Sequence, residues 1–294
     1  MNHKFFFSLS FSLLFLFLGL FSSCKQEDSF KTMTYNIRYN NPDDGINAWP
    51  NRVDLVDAML NEKSPDILCT QEVLKDQFDA ISKMLPNYTA IGVGREDGKE
   101  AGEYNALYIK NARFEILKSA TFSLSEIPDS IGVKGWDSAC CRIATWAFLK
   151  DKKTGKQLFA LNTHLDHMGV VARRESIHLI KSRIKEILKE NDAVGCPVQI
   201  TGDFNCTPSD EPYLLMTEGN EMTSSDQLAE VSKGPQWTFH AFGHVPEAKR
   251  TQIDYVFVNK NLAVHSYETI GEKPNEQGVY ISDHLPVLVT LQIK

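Results

Sequence analysis

The sequence predicts one α/β or α+β domain in which sheets pack together with helices outside. Three observations carry that expectation. Apolar or alternating β-rich runs recur along the chain, helical periodicity is confined to a few segments, and no low-complexity linker or short-period repeat interrupts residues 29–294. The composition agrees, since 42% of the 294 residues are hydrophobic and 23% are charged, which excludes collagen-like, coiled-coil and disordered classes. A chain of this size buries roughly 75% of its unfolded surface, so a large core is available.

Strand signals fall at Lys31–Ile37, Asp66–Gln71, Ala106–Lys110, Ile143–Lys150, Leu158–Thr163, Val198–Gly202, Ile253–Asn259 and Pro286–Ile293. Helical spacing marks Val53–Leu60, Gln77–Leu85 and, most clearly, Ala172–Glu190. In that last segment Ile177, Ile180, Ile184, Ile187 and Leu188 share one face, and Gly195 and Pro197 stop the chain before the next strand.

The N-terminus reads as an address. One lysine precedes the uncharged apolar run Phe5–Phe21, then come Ser22, Ser23, Cys24 and the polar Lys25-Gln26-Glu27-Asp28. A spanning helix is the competing reading of that run. Phe21-Ser22-Ser23-Cys24 resembles a bacterial lipobox, with Phe and Ser where Leu and Gly or Ala are usual. Residues 1–23 are therefore expected to be a lipoprotein signal peptide, 24–28 a polar tether behind a lipidated Cys24, and 29–294 the folded domain. This implies an exported protein anchored to the membrane of the bacterial cell envelope, with the polar tether hinting at the outer-membrane surface. Five further cysteines remain, none in a C-x-x-C pair, which argues against a structural zinc site. An odd number leaves at least one thiol unpaired, and the neighbours Cys140 and Cys141 are not expected to bond to each other.

With 31 Lys and Arg against 38 Asp and Glu, the formal charge is −7. An acidic chain gets no general help in binding polyanionic duplexes. Polar residues gather where apolar strands begin or end: Thr34-Tyr35-Asn36, Thr70-Gln71-Glu72-Val73, Asn162-Thr163-His164-Leu165-Asp166, Thr201-Gly202-Asp203-Phe204-Asn205, Ile253-Asp254-Tyr255 and Ser282-Asp283-His284-Leu285-Pro286. Singly, each fits an ordinary turn or cap.

As an ordered set these segments resemble the endonuclease/exonuclease/phosphatase superfamily, the deoxyribonuclease-I-like phosphoesterases, over nearly all of residues 29–294. The resemblance rests on Gln71-Glu72-Val73, Asn162 to Asp166, Gly202 to Asn205, Ile253-Asp254-Tyr255 and Ser282 to Pro286. It implies a four-layer α/β/β/α sandwich of two mostly antiparallel sheets, with the site between the tops of the sheets. It also implies a divalent cation, Mg²⁺ with Mn²⁺ as the alternative, and cleavage of a phosphoester. Mg²⁺ prefers hard oxygen ligands and needs only one or two carboxylates. Glu72 is expected as first metal ligand, Asn36 as its helper by resemblance, and Asp283 as second carboxylate.

Asp203 and Asn205 stand two apart, so continued strand geometry would turn both to one face, Asp203 toward the attacking water and Asn205 toward a phosphate oxygen. His284 is the other acid/base candidate, with a reference pKa of ~6.5 suited to neutral pH. By resemblance Asp254 orients it. Which of Asp203 and His284 is the formal base stays open. His164 resembles the family histidine across the phosphate, Arg142 a phosphate-binding arginine, and Glu103 a carboxylate supporting His164. Gly135 to Arg142 also looks like a bacterial subgroup of the superfamily. Asp166 and His167 fit either the site loop or a supporting role, and Arg173 and Arg174 read as solvated charges. Trp49, Trp136 and Trp237 suit either the rim or the core.

The expected substrate is a phosphodiester. A nuclease or nucleotide phosphodiesterase leads, followed by a phospholipid or sphingolipid head-group hydrolase or an inositol-phosphate phosphatase. A non-catalytic binding lipoprotein on the same fold is the reading from another class. No protein partner is implied.

Overall fold

The computed structural model describes residues 28–271 and 273–294. The expected signal segment and the Cys24 anchor lie outside the described residues, as does nearly all of the tether. No described helix is long and apolar enough to cross a membrane.

The chain runs β1 (Phe30–Asn36), α1 (Trp49–Lys63), β2 (Ile67–Val73), α2 (Lys75–Met84), β3 (Tyr88–Ile91), β4 (Tyr104–Lys110), β5 (Phe114–Ser123), β6 (Ile143–Asp151), β7 (Gln157–His164), α3 (Val170–Glu190) and β8 (Val198–Asp203). It continues through α4 (Glu211–Thr217), β9 (Thr223–Ser224), α5 (Ser225–Leu228), β10 (Val231–Lys233), β11 (Asp254–Val258), β12 (Leu262–Thr269) and β13 (Val287–Ile293). One sheet has seven strands in the order β10-β12-β13-β1-β2-β4-β3, and the other has six in the order β5-β6-β7-β8-β11-β9. Both are mixed and mostly antiparallel. The parallel pairs are β1 with β2, β10 with β12 and β7 with β8.

Three apolar clusters separate four layers. Met33, Tyr35, Leu68 and Tyr108 of the first sheet pack on Val56 and Leu60 of α1 and Ile81 of α2. Phe159, Leu161, Ile200 and Phe257 of the second sheet pack on the isoleucine stripe of α3 and on Tyr213 and Met216 of α4. Between the sheets lie Phe30, Ile67, Leu107, Leu158, Val256, Val258, Val289 and Leu291. This is the sandwich that the motifs implied.

The inner faces change character along the strands. Period-two alternation turns Phe30, Thr32, Thr34 and Asn36 of β1 toward the second sheet, and Gln199, Thr201 and Asp203 of β8 toward the first. Apolar contacts fill the lower end, and buried polar pairs follow. Thr32 Oγ1 donates to Gln199 Oε1 at 2.9 Å, and Gln71 Nε2 donates to Asn162 Oδ1 at 2.6 Å. Asn162 Nδ2 then donates to the carbonyls of Thr70 and Ala106 across the sandwich. The ionisable residues come last, at the top. A buried amide is tolerated only when hydrogen-bonded, so these pairs fix how the sheets register.

Trp49 and Trp237 are buried and Trp136 is half-buried. All five described cysteines are free, and Cys69, Cys196 and Cys206 are buried.

Candidate active site

Each half of the site belongs to one sheet. The first sheet supplies Asn36 at the end of β1, Glu72 near the end of β2 and the Asp283-His284 loop before β13. The second supplies His164 at the end of β7, Asp203 at the end of β8 and Asp254 at the start of β11.

Asn36 joins the halves. Its Nδ2 donates to Glu72 Oε1 and to Asp203 Oδ2, each at 3.0 Å, while its Oδ1 accepts from the Arg38 N–H at 3.0 Å. The amide therefore presents hydrogens to both carboxylates, and its oxygen is already engaged. This geometry makes Asn36 a bridge between the carboxylates, beside Glu72 on the side where it was expected to assist. Glu72 also accepts from the Tyr39 N–H through Oε2 at 3.2 Å.

Glu72, Asp203 and His284 each bring one ligand atom within 4.8 Å of the others. Asp283 is buried beside them, taking Ser282 Oγ at 3.3 Å on one oxygen and facing Arg38 Nε at 4.0 Å with the other. Several carboxylates thus crowd a small volume, with His284 and Arg38 as cationic groups that face them. The carboxylate oxygens and imidazole of Glu72, Asp203 and His284 form a donor set that fits a divalent cation.

Asp203 lies between two imidazoles. His164 Nε2 is 3.4 Å from Asp203 Oδ2, and His284 Nε2 is 3.8 Å from the same oxygen. His284 Nδ1 meets Asp254 Oδ2 at 2.8 Å. Burial, reinforced by the Asp254 charge, pushes the Asp203 carboxyl up to about 7 against the pull of His284 and the hydrogen bonds from Asn205 and Asn36. Burial disfavours charge on His284, but Asp254, Asp203 and Asp283 outweigh it and hold His284 well above the usual histidine range. Burial and the Arg142 and Arg95 charges hold His164 well below that range. Charge is therefore favoured on His284 and disfavoured on His164, on either side of a single carboxyl.

The expected strand geometry does not extend past Asp203. Asn205 is left-handed, with φ 46°, and its side chain reaches Asp203's neighbourhood by a turn. Its N–H caps Asp203 Oδ1 at 2.9 Å, and its Nδ2 lies 3.0 Å from both His164 Nε2 and the Leu165 carbonyl. The two residues still meet, through a local bond in place of a shared strand face.

Arg142 is buried, with Nε 3.3 Å from Asp166 Oδ2 and Nη2 3.1 Å from His167 Nδ1, and its Nη1 has no hydrogen-bond partner. Asp166 is a hub. It accepts from the N–H groups of Ala139, Cys140, Met168 and Gly169 as well as from Arg142. Burial alone would raise its pKa, but those N–H bonds and Arg142 hold it below the usual carboxylate range. Asp166 thus fastens the Gly135–Arg142 loop to the start of α3. Arg173 departs from its expected solvated role, since its Nη1 donates to the Asp166 carbonyl at 2.8 Å. Arg174 pairs with the adjacent Glu175 at the surface. Glu103 stands 3.9 Å from His164 Nδ1, but its short contact is to Arg95 at 2.6 Å, so its first partner is the arginine.

Arg52 escaped the sequence reading. It is fully buried in α1, and its guanidinium donates to the carbonyls of Asn47, Ile37, Ile281 and Arg38 at 2.6–3.0 Å. It ties the chain after Asn36 to the chain before Asp283. No spacing rule marks a helical arginine whose acceptors are all backbone oxygens.

Fold and site together define a phosphoester-hydrolase sandwich. The family model for the endonuclease/exonuclease/phosphatase family matches residues 33–284, and the chain belongs to that family. It is similar to the solved structure of an endonuclease/exonuclease/phosphatase from Bacteroides vulgatus, with 42% identity, a TM-score of 0.85 and coverage of 90% of this chain and 99% of that one. It is also similar to a mannosyl-6-phosphatase from Bacteroides thetaiotaomicron, with 31% identity, a TM-score of 0.81 and coverage of 89% and 99%. Among curated proteins it matches the CCR4-Not complex 3'-5'-exoribonuclease subunit Ccr4 of Candida albicans at 22% identity, over 84% of this chain and 38% of that protein.

Proposed function

We propose that the protein is an exported, lipid-anchored phosphoesterase that depends on a divalent cation and acts on a small phosphoester, a phosphorylated sugar first. The observation that carries the chemistry is the convergence of Glu72, Asp203 and His284 within 4.8 Å, with Asp254 behind His284 at 2.8 Å. Glu72 and Asp283 would hold the divalent cation, which would supply positive charge against the phosphate oxygens. Asp203, in its carboxylate form, takes the proton of the attacking water. Asn36 fixes where that carboxylate sits relative to Glu72. His284, kept cationic by Asp254, donates to a phosphate oxygen as charge builds there. Asn205, His164 and the free Nη1 of Arg142 line the opposite flank and bind phosphate.

The arginines near the site argue for a small substrate. Arg38 forks onto Asp44 at 2.9 Å, Arg95 pairs with Glu103 at 2.6 Å and Arg142 with Asp166 at 3.3 Å. The arginines nearest the site are thus partly neutralised, and a chain of charge −7 gives no general help in binding a polynucleotide backbone. The mannosyl-6-phosphatase likeness supports a sugar phosphate. A nuclease or nucleotide phosphodiesterase is the second reading, supported by the exoribonuclease relative.

A panel of hexose 6-phosphates, inositol phosphates, oligoribonucleotides, single-stranded DNA and sphingomyelin, with Mg²⁺ and with EDTA, tests the assignment. Release of inorganic phosphate from a sugar phosphate is the expected result. Cleavage of oligonucleotides alone would establish the second reading. For the anchor, the full-length protein should partition into detergent when expressed in a Gram-negative host, and Cys24→Ser should return it to the aqueous phase.

A further inference from the structure

The dyad of Asp254 and His284 spans the sandwich. Asp254 opens β11 in the six-stranded sheet, while His284 precedes β13 in the seven-stranded one. No ladder pairs these strands, so their spacing must be set by something else. The chain between β10 and β11 supplies it.

Thr238 lies there, fully buried. Its Oγ1 accepts from the N–H groups of Ile253 and Asp254, both at 3.0 Å. Its own N–H donates to the Thr251 carbonyl at 3.0 Å, and its carbonyl accepts from the Leu285 N–H at 2.7 Å. The next residues grip the histidine loop. The His240 and Ala241 N–H groups both donate to the Asp283 carbonyl, at 3.0 and 3.1 Å. The Phe239 ring sits 4.9 Å from the His284 ring, centroid to centroid. One residue thus holds the main chain at Asp254 with its hydroxyl and the main chain next to His284 with its carbonyl.

The geometry points to Thr238 as a positioning residue: its hydroxyl fixes the first turn of chain into β11 so that the Asp254 carboxylate meets His284. Two N–H donors use both lone pairs of the hydroxyl oxygen, and without them the strand end would bury two unpaired donors. The inference rests on the assignment of Asp254 and His284 to the reaction. The Thr238 hydroxyl is assigned no contact with substrate and acts through Asp254.

Serine keeps the acceptor and valine keeps the shape without it. Thr238→Ser should hold kcat within about twofold, whereas Thr238→Val should lower kcat by roughly 10- to 10²-fold with KM little changed, the cost of a small misplacement. Measurements use p-nitrophenyl phosphate and bis-p-nitrophenyl phosphate. In an Asp254→Asn background, Thr238→Val should add no further loss. The low-field proton resonance of the His284–Asp254 hydrogen bond should persist in wild type and Thr238→Ser and shift or vanish in Thr238→Val. If the valine variant does not fold, Thr238→Ala, which leaves the two N–H groups to water and severs their tie to the residue whose carbonyl holds Leu285, carries the same expectation. A folded valine or alanine variant with wild-type kcat and an unmoved resonance would overturn the proposal, as would full multiplication with Asp254→Asn. If the wild type hydrolyses neither ester nor any substrate of the panel, the functional reading fails while the resonance still tests Thr238.

Discussion

Glu72 accepts its hydrogen bond from Asn36 although strict alternation along β2 would send its side chain to the helix layer. Ile67, Cys69 and Gln71 face the other sheet and Leu68 faces the helices. The pairing of β2 with β4 slips between Thr70 and Val73, and Glu72 is left-handed with φ 60°. After the slip Val73 packs on the helix side, where alternation would have placed Glu72. A β-bulge therefore turns one carboxylate from the core into the site, a recurrent use of bulges. Strained backbone at such a position is retained because the surrounding contacts over-determine it.

Glu72→Gln should leave circular dichroism unchanged and weaken Mn²⁺ binding measured by calorimetry. Losing several kcal/mol of cation stabilisation corresponds to roughly 10²- to 10³-fold in kcat/KM. Near-normal turnover at limiting Mg²⁺ would remove Glu72 from the metal site.

Asp203→Asn should cost roughly 10²- to 10⁴-fold in rate yet make the cation-free protein more stable. Its carboxyl is raised to about 7 in the folded protein, above the ordinary unfolded value. The folded state therefore binds the proton more tightly, and stability contributed by protonation is lost as pH rises from the carboxylate range through about 7. The gain in Tm from Asp203→Asn should be largest at pH 8 and small at pH 4 in EDTA. An equal gain at both pH values would mean that the carboxyl is not held neutral by burial.

Asp254→Asn and His284→Ala should be strongly non-additive, because Asp254 meets His284 directly at 2.8 Å. The double variant is expected to be scarcely slower than His284→Ala alone. Multiplicative losses in folded variants would assign the two residues separate tasks.

Gly202 carries φ 150°, and a Cβ there would lie 2.0 Å from the Thr163 carbonyl oxygen of β7. Gly202→Ala must spread β7 and β8 beside the pair His164 and Asp203, which are opposite in register. Overpacking of this kind costs about 1–3 kcal/mol. Urea unfolding and kcat should both register it, and an unchanged urea midpoint would mean that the strands part without penalty.

Much of the framework was legible because its signals are local. Every strand read from the sequence forms, and the α3 stripe from Ile177 to Leu188 is buried as expected. The reading missed β3, β5, β9, β10 and β12. In β5 the middle of an edge strand is exposed, so its hydrophobic pattern fades, and in β12 a shift between Val264 and Ser266 breaks the period of two. At the site, the side chains that carry charge stood out beside apolar runs, and Glu72, Asp203 and His284 come within 4.8 Å of one another. What stayed hidden works through the main chain. Arg52 holds carbonyls, Thr238 holds N–H groups and Asp166 collects N–H groups from a distant loop, and none of these partners leaves a side-chain signature. The turn that folds Asn205 back was likewise invisible to a rule that assumes the strand continues.

The graded interface between the sheets implies that the molecule does not come apart evenly. Its lower end is held by the burial of Phe30, Ile67, Leu158 and Val258, while its upper end depends on paired amides and like-charged carboxylates. Opening the top exposes groups that water solvates readily, whereas opening the bottom exposes hydrocarbon, so the two ends carry different local free energies of opening. Amide exchange at Asn36, Glu72 and Asp203 should then be fast relative to that at Phe30 and Val258, and rising urea should silence the enzyme before far-UV ellipticity changes. Working chemistry would reside in the least cooperative part of the molecule, borne on a base that outlasts it.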